Sequence, residues 1–134
     1  MLKQLSIYAE NKKGALQTMT NALYEAGINI WGSVTNDGAE YGINRMVVSD
    51  PEKAKEVLTE RGYLCRFVDV LAVEIEDKPG ALNTLLTALL DSNVNVDYTY
   101  LSFNRDSSTP VMILHTADPE EVEICLKAKG FKMV

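Results

Sequence analysis

The chain has 134 residues, 46% of them hydrophobic and 24% charged, which suits one ordinary domain or two small ones with a modest core and excludes a disordered or membranous chain. Its formal net charge of −6 repels a phosphate backbone and argues against nucleic-acid binding. The opening stretch MLKQLSIYAE alternates apolar and polar residues without an apolar run, so neither a leader nor a membrane span is expected there, and the expected location is cytoplasmic.

In chain order, Leu5, Ile7 and Ala9 alternate with Ser6 and Tyr8, the period of a half-buried strand. The loop Asn11-Lys12-Lys13-Gly14 leads into a helix whose apolar stripe is Leu16, Met19, Ala22, Leu23 and Ala26, at spacings of three and four. Gly27 ends that helix. INIWGSV reads as a second strand, Asn36-Asp37-Gly38 as a hairpin turn and YGINRMVV as a third strand. Asp50 and Pro51 open a second helix as N-cap and first helical residue, with Ala54, Val57 and Leu58 facing inward. Gly62 stops it before a closing strand.

The same text then returns. Residues 10–30, ENKKGALQTMTNALYEAGINI, reappear at residues 76–96 as EDKPGALNTLLTALLDSNVNV, with Gly14 matching Gly80 at an offset of 66. Asp50-Pro51 matches Asp118-Pro119 and Gly62-Tyr63 matches Gly130-Phe131, both at an offset of 68. The second copy therefore carries two extra residues, which fit the polar loop at 104–109. Leu71, Val73 and Ile75 repeat the first strand, and Leu82, Leu85, Leu86 and Leu89 the first helix stripe. Two copies of one small fold are expected, residues 1–67 and 68–134, without a Gly/Ser-rich linker between them. Strand, helix, strand, strand, helix, strand in each predicts an α+β protein of two ferredoxin-like βαββαβ modules, each an antiparallel sheet with both helices on one face.

A fold of this kind hosts many activities, so function has to come from a site. Cys65 and Cys125 stand far apart with no metal-ligand spacing, and read as reduced structural thiols. His115, in VMILHT, reads as a packed or solvated strand residue. There is no CxxC, no P-loop, no glycine-rich dinucleotide turn and no RNA-binding pair of strand aromatics. No enzyme activity, cofactor or metal is expected. What remains is the pair of loops before the first helix of each copy, Asn11 to Gly14 and Asp77-Lys78-Pro79-Gly80. A helix N-terminus offers unpaired amides and the positive end of the dipole to a carboxylate. Asn11 both donates and accepts, whereas Asp77 only accepts and favours an ammonium. An amino acid presents both groups. Helix capping or turn formation by Asn11 and Asp77 is the other reading of these loops.

With ENKKGAL and EDKPGAL, the helices that follow them, GINI and VNV, and the endings SDPEKAKEVLTERGY and ADPEEVEICLKAKGF, the chain resembles a tandem ACT-domain protein over nearly its whole length. The resemblance implies small-molecule binding, most often of an amino acid, by a regulatory protein without catalysis of its own. It also implies modules joined edge to edge into an eight-stranded sheet, with ligand held where they meet. An asparagine opening the second strand then reaches the loop of the other module. One site combines Asn11 and the backbone of Lys12, Lys13, Gly14, Ala15 and Leu16 with Asn95. The other combines Asp77 and the backbone of Lys78, Pro79, Gly80, Ala81 and Leu82 with Asn29. A turn residue after a helix is the other reading of Asn29 and Asn95. Lys13 for Pro79 and Asn11 for Asp77 make the first site the more cationic. Trp31, Tyr98 and Tyr100 either line the ligand space or pack sheet against sheet. The expected partners are an amino acid, a second copy in a homodimer, and a metabolic enzyme or regulator. A structural dimerisation or adaptor module is the alternative, for which Lys13 and Ser92-Asn93 in place of a loop Pro and a helix-ending Gly speak.

Overall fold

The apolar periods form the elements they announce. In the computed structural model, which describes residues 1–36 and 41–134, the first copy comprises β1 (Leu2–Glu10), α1 (Ala15–Glu25), β2 (Ile30–Asn36), β3 (Tyr41–Val48) and α2 (Pro51–Glu60). β4 (Leu64–Glu74) follows, and the second copy continues with α3 (Ala81–Asp91), β5 (Tyr98–Phe103), β6 (Pro110–His115), α4 (Pro119–Ala128) and β7 (Lys132–Met133). The described residues thus hold seven strands rather than eight. The closing strand of the first copy and the opening strand of the second are one continuous β4, because YLCRFVDVLAVEIE contains no residue that breaks an extended backbone. Of the expected turn at Asn36, Asp37 and Gly38, the last two residues lie outside the described ones.

The chain divides into two compact units, Lys3–Val68 and Asp69–Val134, the latter with Met1–Leu2. In the unit Lys3–Val68, β1 pairs antiparallel with β3, Leu5 opposite Met46 and Glu10 opposite Tyr41, and β2 lies outside β3 with a register shift between Ile30 and Gly32. Leu5, Ile7, Met46 and Val48 project from β1 and β3 onto Met19, Ala22 and Leu23 of α1 and Ala54 and Leu58 of α2, forming one core. In the unit Asp69–Val134, β4 pairs antiparallel with β6 and β7, and β5 lies outside β6. Leu71, Val73, Met112 and Leu114 pack there with Leu85 and Leu89 of α3 and Val122 and Leu126 of α4. Leu5, Met46, Leu23 and Leu58 of the first core stand at the repeat offsets of Leu71, Leu114, Leu89 and Leu126. The duplicated text therefore builds the same core twice, each an α+β ferredoxin-like layer pair.

Burial departs from the expected stripes at two places. Leu16 and Leu82, counted inward, are 46% and 38% exposed, and Leu86 is exposed as well. β1, expected to be half-buried, is buried on both faces from Gln4 to Ile7. Its polar pair is satisfied locally, with Gln4 Nε2 donating to Ser6 Oγ at 3.2 Å. No helix among the described residues is long and apolar enough to cross a membrane.

Candidate ligand-binding site

Each copy begins its first helix in the same unusual way. The residue at the N-cap is a glycine in the left-handed region, Gly14 at φ 84° and Gly80 at φ 87°, and neither helix has a side-chain cap or an acidic residue in its first turn. The N-cap position of each helix therefore offers no side chain to the helix amides. The amides of Ala15 and Ala81 turn back onto the carbonyls of Lys12 and Lys78 at 3.1 and 3.2 Å. Those of Thr18 and Thr84 bond to Gly14 and Gly80, whose carbonyls also accept the threonine hydroxyls at 2.9 and 3.0 Å. The amides between them, of Leu16 and Gln17 and of Leu82 and Asn83, point out of the helix end by the geometry of a first turn. They carry the positive end of the dipole with them.

A cavity opens beside each of these ends. The one in the unit Lys3–Val68 has a volume of about 570 Å³ and is lined by Lys12, Lys13, Gly14, Ala15 and Thr18, together with Tyr8, Tyr41 and Tyr63. The one in the unit Asp69–Val134 has a volume of about 460 Å³ and is lined by Lys78, Ala81 and Thr84, with Glu74, Thr109, Phe131 and Lys132. Most lining positions correspond across the repeat: Tyr8 to Glu74, Lys12 to Lys78, Ala15 to Ala81, Thr18 to Thr84, Tyr41 to Thr109 and Tyr63 to Phe131. Both cavities have a size in the range of small-molecule sites.

Their electrostatics differ. In both loops the first lysine is bound back to the glutamate two residues earlier, Lys12 to Glu10 at 2.9 Å and Lys78 to Glu76 at 2.8 Å. The hydrogen bond that Lys12 donates to Glu10 raises the Lys12 ammonium pKa. Lys13 adds a further cation to the first cavity, and no ion pair of Lys13 is seen among the described residues. In the second cavity Pro79 removes that charge. Glu74 stands there instead, opposite Lys132 in the β4–β7 ladder and joined to it at 3.1 Å. Its hydrogen bond with Lys132 holds the Glu74 carboxyl below the usual carboxylate range. The first cavity thus favours a carboxylate held by helix amides and an ammonium side chain, ringed by phenols. The second presents an acid and a base together.

Of the residues expected from sequence, Lys12, Lys13, Gly14, Ala15, Lys78 and Ala81 line the cavities. Asn11, Leu16, Asp77, Pro79, Gly80 and Leu82 belong to the same loops and first turns without forming their lining. Asn29 and Asn95 follow the opposite end of the helix in their own units. The Asn29 N–H donates to Ser49 Oγ at 2.9 Å, and Asn95 Nδ2 donates to Asp97 Oδ1 at 3.2 Å. Trp31, Tyr98 and Tyr100 line neither cavity. Tyr98 stacks on His115 with centroids 4.9 Å apart, and His115 Nδ1 meets Asp97 Oδ2 at 2.8 Å, so this histidine is a packed residue. Both cysteines are free and half-buried, and burial raises the Cys65 thiol pKa. Sequence reasoning missed Tyr8, Tyr41, Tyr63, Glu74, Phe131 and Lys132. The signal was present in the repeat: all but Lys132 occupy matched positions in the two cavities.

Each unit thus places a glycine-led helix start beside a cavity, on a ferredoxin-like pair of layers. The family model for the ACT domain pair matches residues 1–133, and the chain belongs to that family. Protein BT0572 from Bacteroides thetaiotaomicron superposes with a TM-score of 0.91 at 30% identity, covering 99% of this chain and 91% of that one. The ligand-free regulatory subunit of aspartate kinase from Thermus thermophilus superposes at 0.67 with 16% identity, covering 94% of this chain and 89% of that one. The corresponding subunit from Thermus flavus gives 0.62 at 19% identity, with 96% and 91% covered. At that identity the two subunits share the fold. No curated protein matches the chain.

Proposed function

We propose that this protein is a non-enzymatic regulatory sensor that binds a small amino acid at its two loop cavities and passes occupancy to a partner enzyme or regulator. One observation carries the reading: two cavities at matched positions, each at a helix N-terminus led by a left-handed glycine, whose outward amides a carboxylate complements. The Thermus structures, regulatory subunits of aspartate kinase by their description, agree with it. Binding orders the loop and so biases whatever surface the loop contributes to. The cross-module reach of Asn29 and Asn95 and the edge-to-edge joining of modules enter through the family resemblance alone. A cytoplasmic location accords with a sensor of free metabolites.

The reading is tested by thermal melting against each of the twenty amino acids at millimolar concentration. A ligand at about 100 times its Kd adds roughly 2.7 kcal/mol to stability. At least one amino acid is expected to raise Tm, with two sites of unequal affinity per chain by calorimetry. Lys13→Glu should remove one site and leave the other. No stabilisation by any amino acid would sink the reading.

One set of side chains favours the dimerisation reading in addition. α3 and the outer strand β5 leave Leu82, Leu86, Leu101 and Phe103 exposed, where the first copy has Leu16, Thr20 and Thr35 at the first three matched positions. A homodimer that covers this surface is compatible with sensing. Light scattering distinguishes a monomer from a dimer, and Leu101→Lys should dissociate the latter.

A further inference from the structure

The two copies differ sharply in charge at the end of the first helix, away from the loops. In the first copy Lys53 of α2 donates through Nζ to the carbonyl of Ala26, the C-cap of α1, at 2.9 Å. An ammonium thus sits on the negative end of a helix. At the repeat offsets, Lys53 becomes Glu121 and Ala26 becomes Ser92. The second copy has a cavity of about 390 Å³ there, between the end of α3 and the start of α4, with no Lys or Arg in its lining.

The walls of this cavity include Asn95, Asp97, Thr116, Asp118, Glu121 and Cys125. Asp97 stands where the first copy has Trp31. Asp118 is the N-cap of α4 but accepts no capping hydrogen bond through its side chain, whereas its counterpart Asp50 accepts from the Lys53 N–H at 3.2 Å. An independent observation comes from Thr116, which is 2% exposed and whose hydroxyl has no hydrogen-bond partner among the described residues. The first copy has the apolar Val48 at that position. A buried hydroxyl without a partner is costly to retain, and this one belongs to the wall of an acidic cavity.

We propose that this cavity binds a small primary ammonium compound, whose charged group takes the place that Lys53 Nζ holds in the first copy. An ammonium offers three donors and no acceptor. The Glu121 and Asp118 carboxylates, the Thr116 hydroxyl oxygen and the carbonyl end of α3 are acceptors for them. Among the described residues no three His, Cys, Asp or Glu side chains group so as to hold a metal ion, which favours an organic cation. The site is separate from the loop cavities and asks for no carboxylate on its ligand.

The probe is 1,4-diaminobutane, titrated into the intact protein at constant ionic strength and followed by amide NMR and thermal melting. Saturable shifts are expected in residues 92–97 and 116–121, together with a raised Tm. Tetramethylammonium, which has no N–H, should reproduce neither. Glu121→Lys restores the lysine of the first copy, and is expected to raise Tm without ligand and abolish the response. Thr116→Val installs the first copy's core residue and should weaken binding about tenfold, the loss of one charge-assisted hydrogen bond. Lys13→Glu should leave the diamine response intact, so that failure here and failure of the loop sites are separable. Non-saturable shifts spread over the acidic surface, an equal response to tetramethylammonium, or an undiminished response in Glu121→Lys would each overturn the proposal.

Discussion

Positive φ angles mark the residues on which the loops and helix ends turn. Gly14 holds φ at 84°, and a Cβ built there meets nothing within 4 Å, so the cost of a side chain is conformational rather than steric against neighbours. The same left-handed turn closes α1 at Gly27 (φ 72°) and α3 at Asn93 (φ 57°). In both, the residue after it donates back into the last turn, Ile28 to Leu23 at 3.0 Å and Val94 to Leu89 at 2.9 Å. Asn93 is thus a working substitute for glycine, because asparagine tolerates this region better than other side chains. Its presence is no sign of a decayed module. Gly14→Ala and Asn93→Ala are each expected to cost about 1 kcal/mol, the penalty of a left-handed alanine. Urea denaturation measures this, and an unchanged midpoint in either variant would contradict it.

Among the elements, the second helices show how one sequence pattern leads to two local outcomes. SDPEK and ADPEE both place Asp before Pro at a helix start, the expected N-cap and first-turn pair. Asp50 fulfils that role for α2, and Asp118 does not for α4. Asp50→Ala should therefore lower stability by about 1 kcal/mol, whereas Asp118→Ala should cost only a few tenths. Equal losses in the two variants, read from denaturant midpoints, would show that both aspartates cap. The helices, the strand periods and the repeat register were all readable from apolar spacing, since each depends on neighbours within one or two turns. The cavity walls were not. Tyr41 reaches the first cavity because it pairs opposite Glu10 in the β1–β3 ladder, and Glu74 meets Lys132 because β7 pairs with β4. Such registers are set by long-range pairing, which local spacing does not encode.

For the whole molecule, the charge pattern sets a pH window. Glu25, Glu52, Glu74 and Glu123 have carboxyl pKa values lowered from the ordinary 4.5, chiefly by hydrogen bonds from Arg61, Lys3, Lys132 and Lys127 respectively. A carboxyl depressed in the folded state stabilises fully above its unfolded pKa, and that stability is lost as pH falls through the folded value. Lys12, raised from 10.5 by Glu10, contributes below 10.5 and loses its contribution as pH rises through the folded value. Stability from these groups should be level across neutral pH and decline below 4.5, with Lys132→Gln reducing the acid slope. A denaturant midpoint that rises on acidification below 4.5 would refute this. The Lys3–Glu52 and Arg61–Glu25 pairs are exposed on both sides, so each of these contributes little.

By itself the sequence determined that this protein is one small fold written twice, with matched cores, matched glycine-led loops and the family those loops announce. These follow from local periods and from the comparison of one half of the chain with the other. Only the tertiary structure decided that a left-handed glycine stands at the N-cap of each first helix, that Glu74 and Glu76 rather than Asp77 line the second cavity, and that the Thr116 hydroxyl finds no partner among the described residues in the cavity it shares with Asp118 and Glu121. Each depends on which strands lie side by side and on where a helix end meets its neighbour. Pairing and packing over long chain separations set those distances, and no spacing within a single element expresses them.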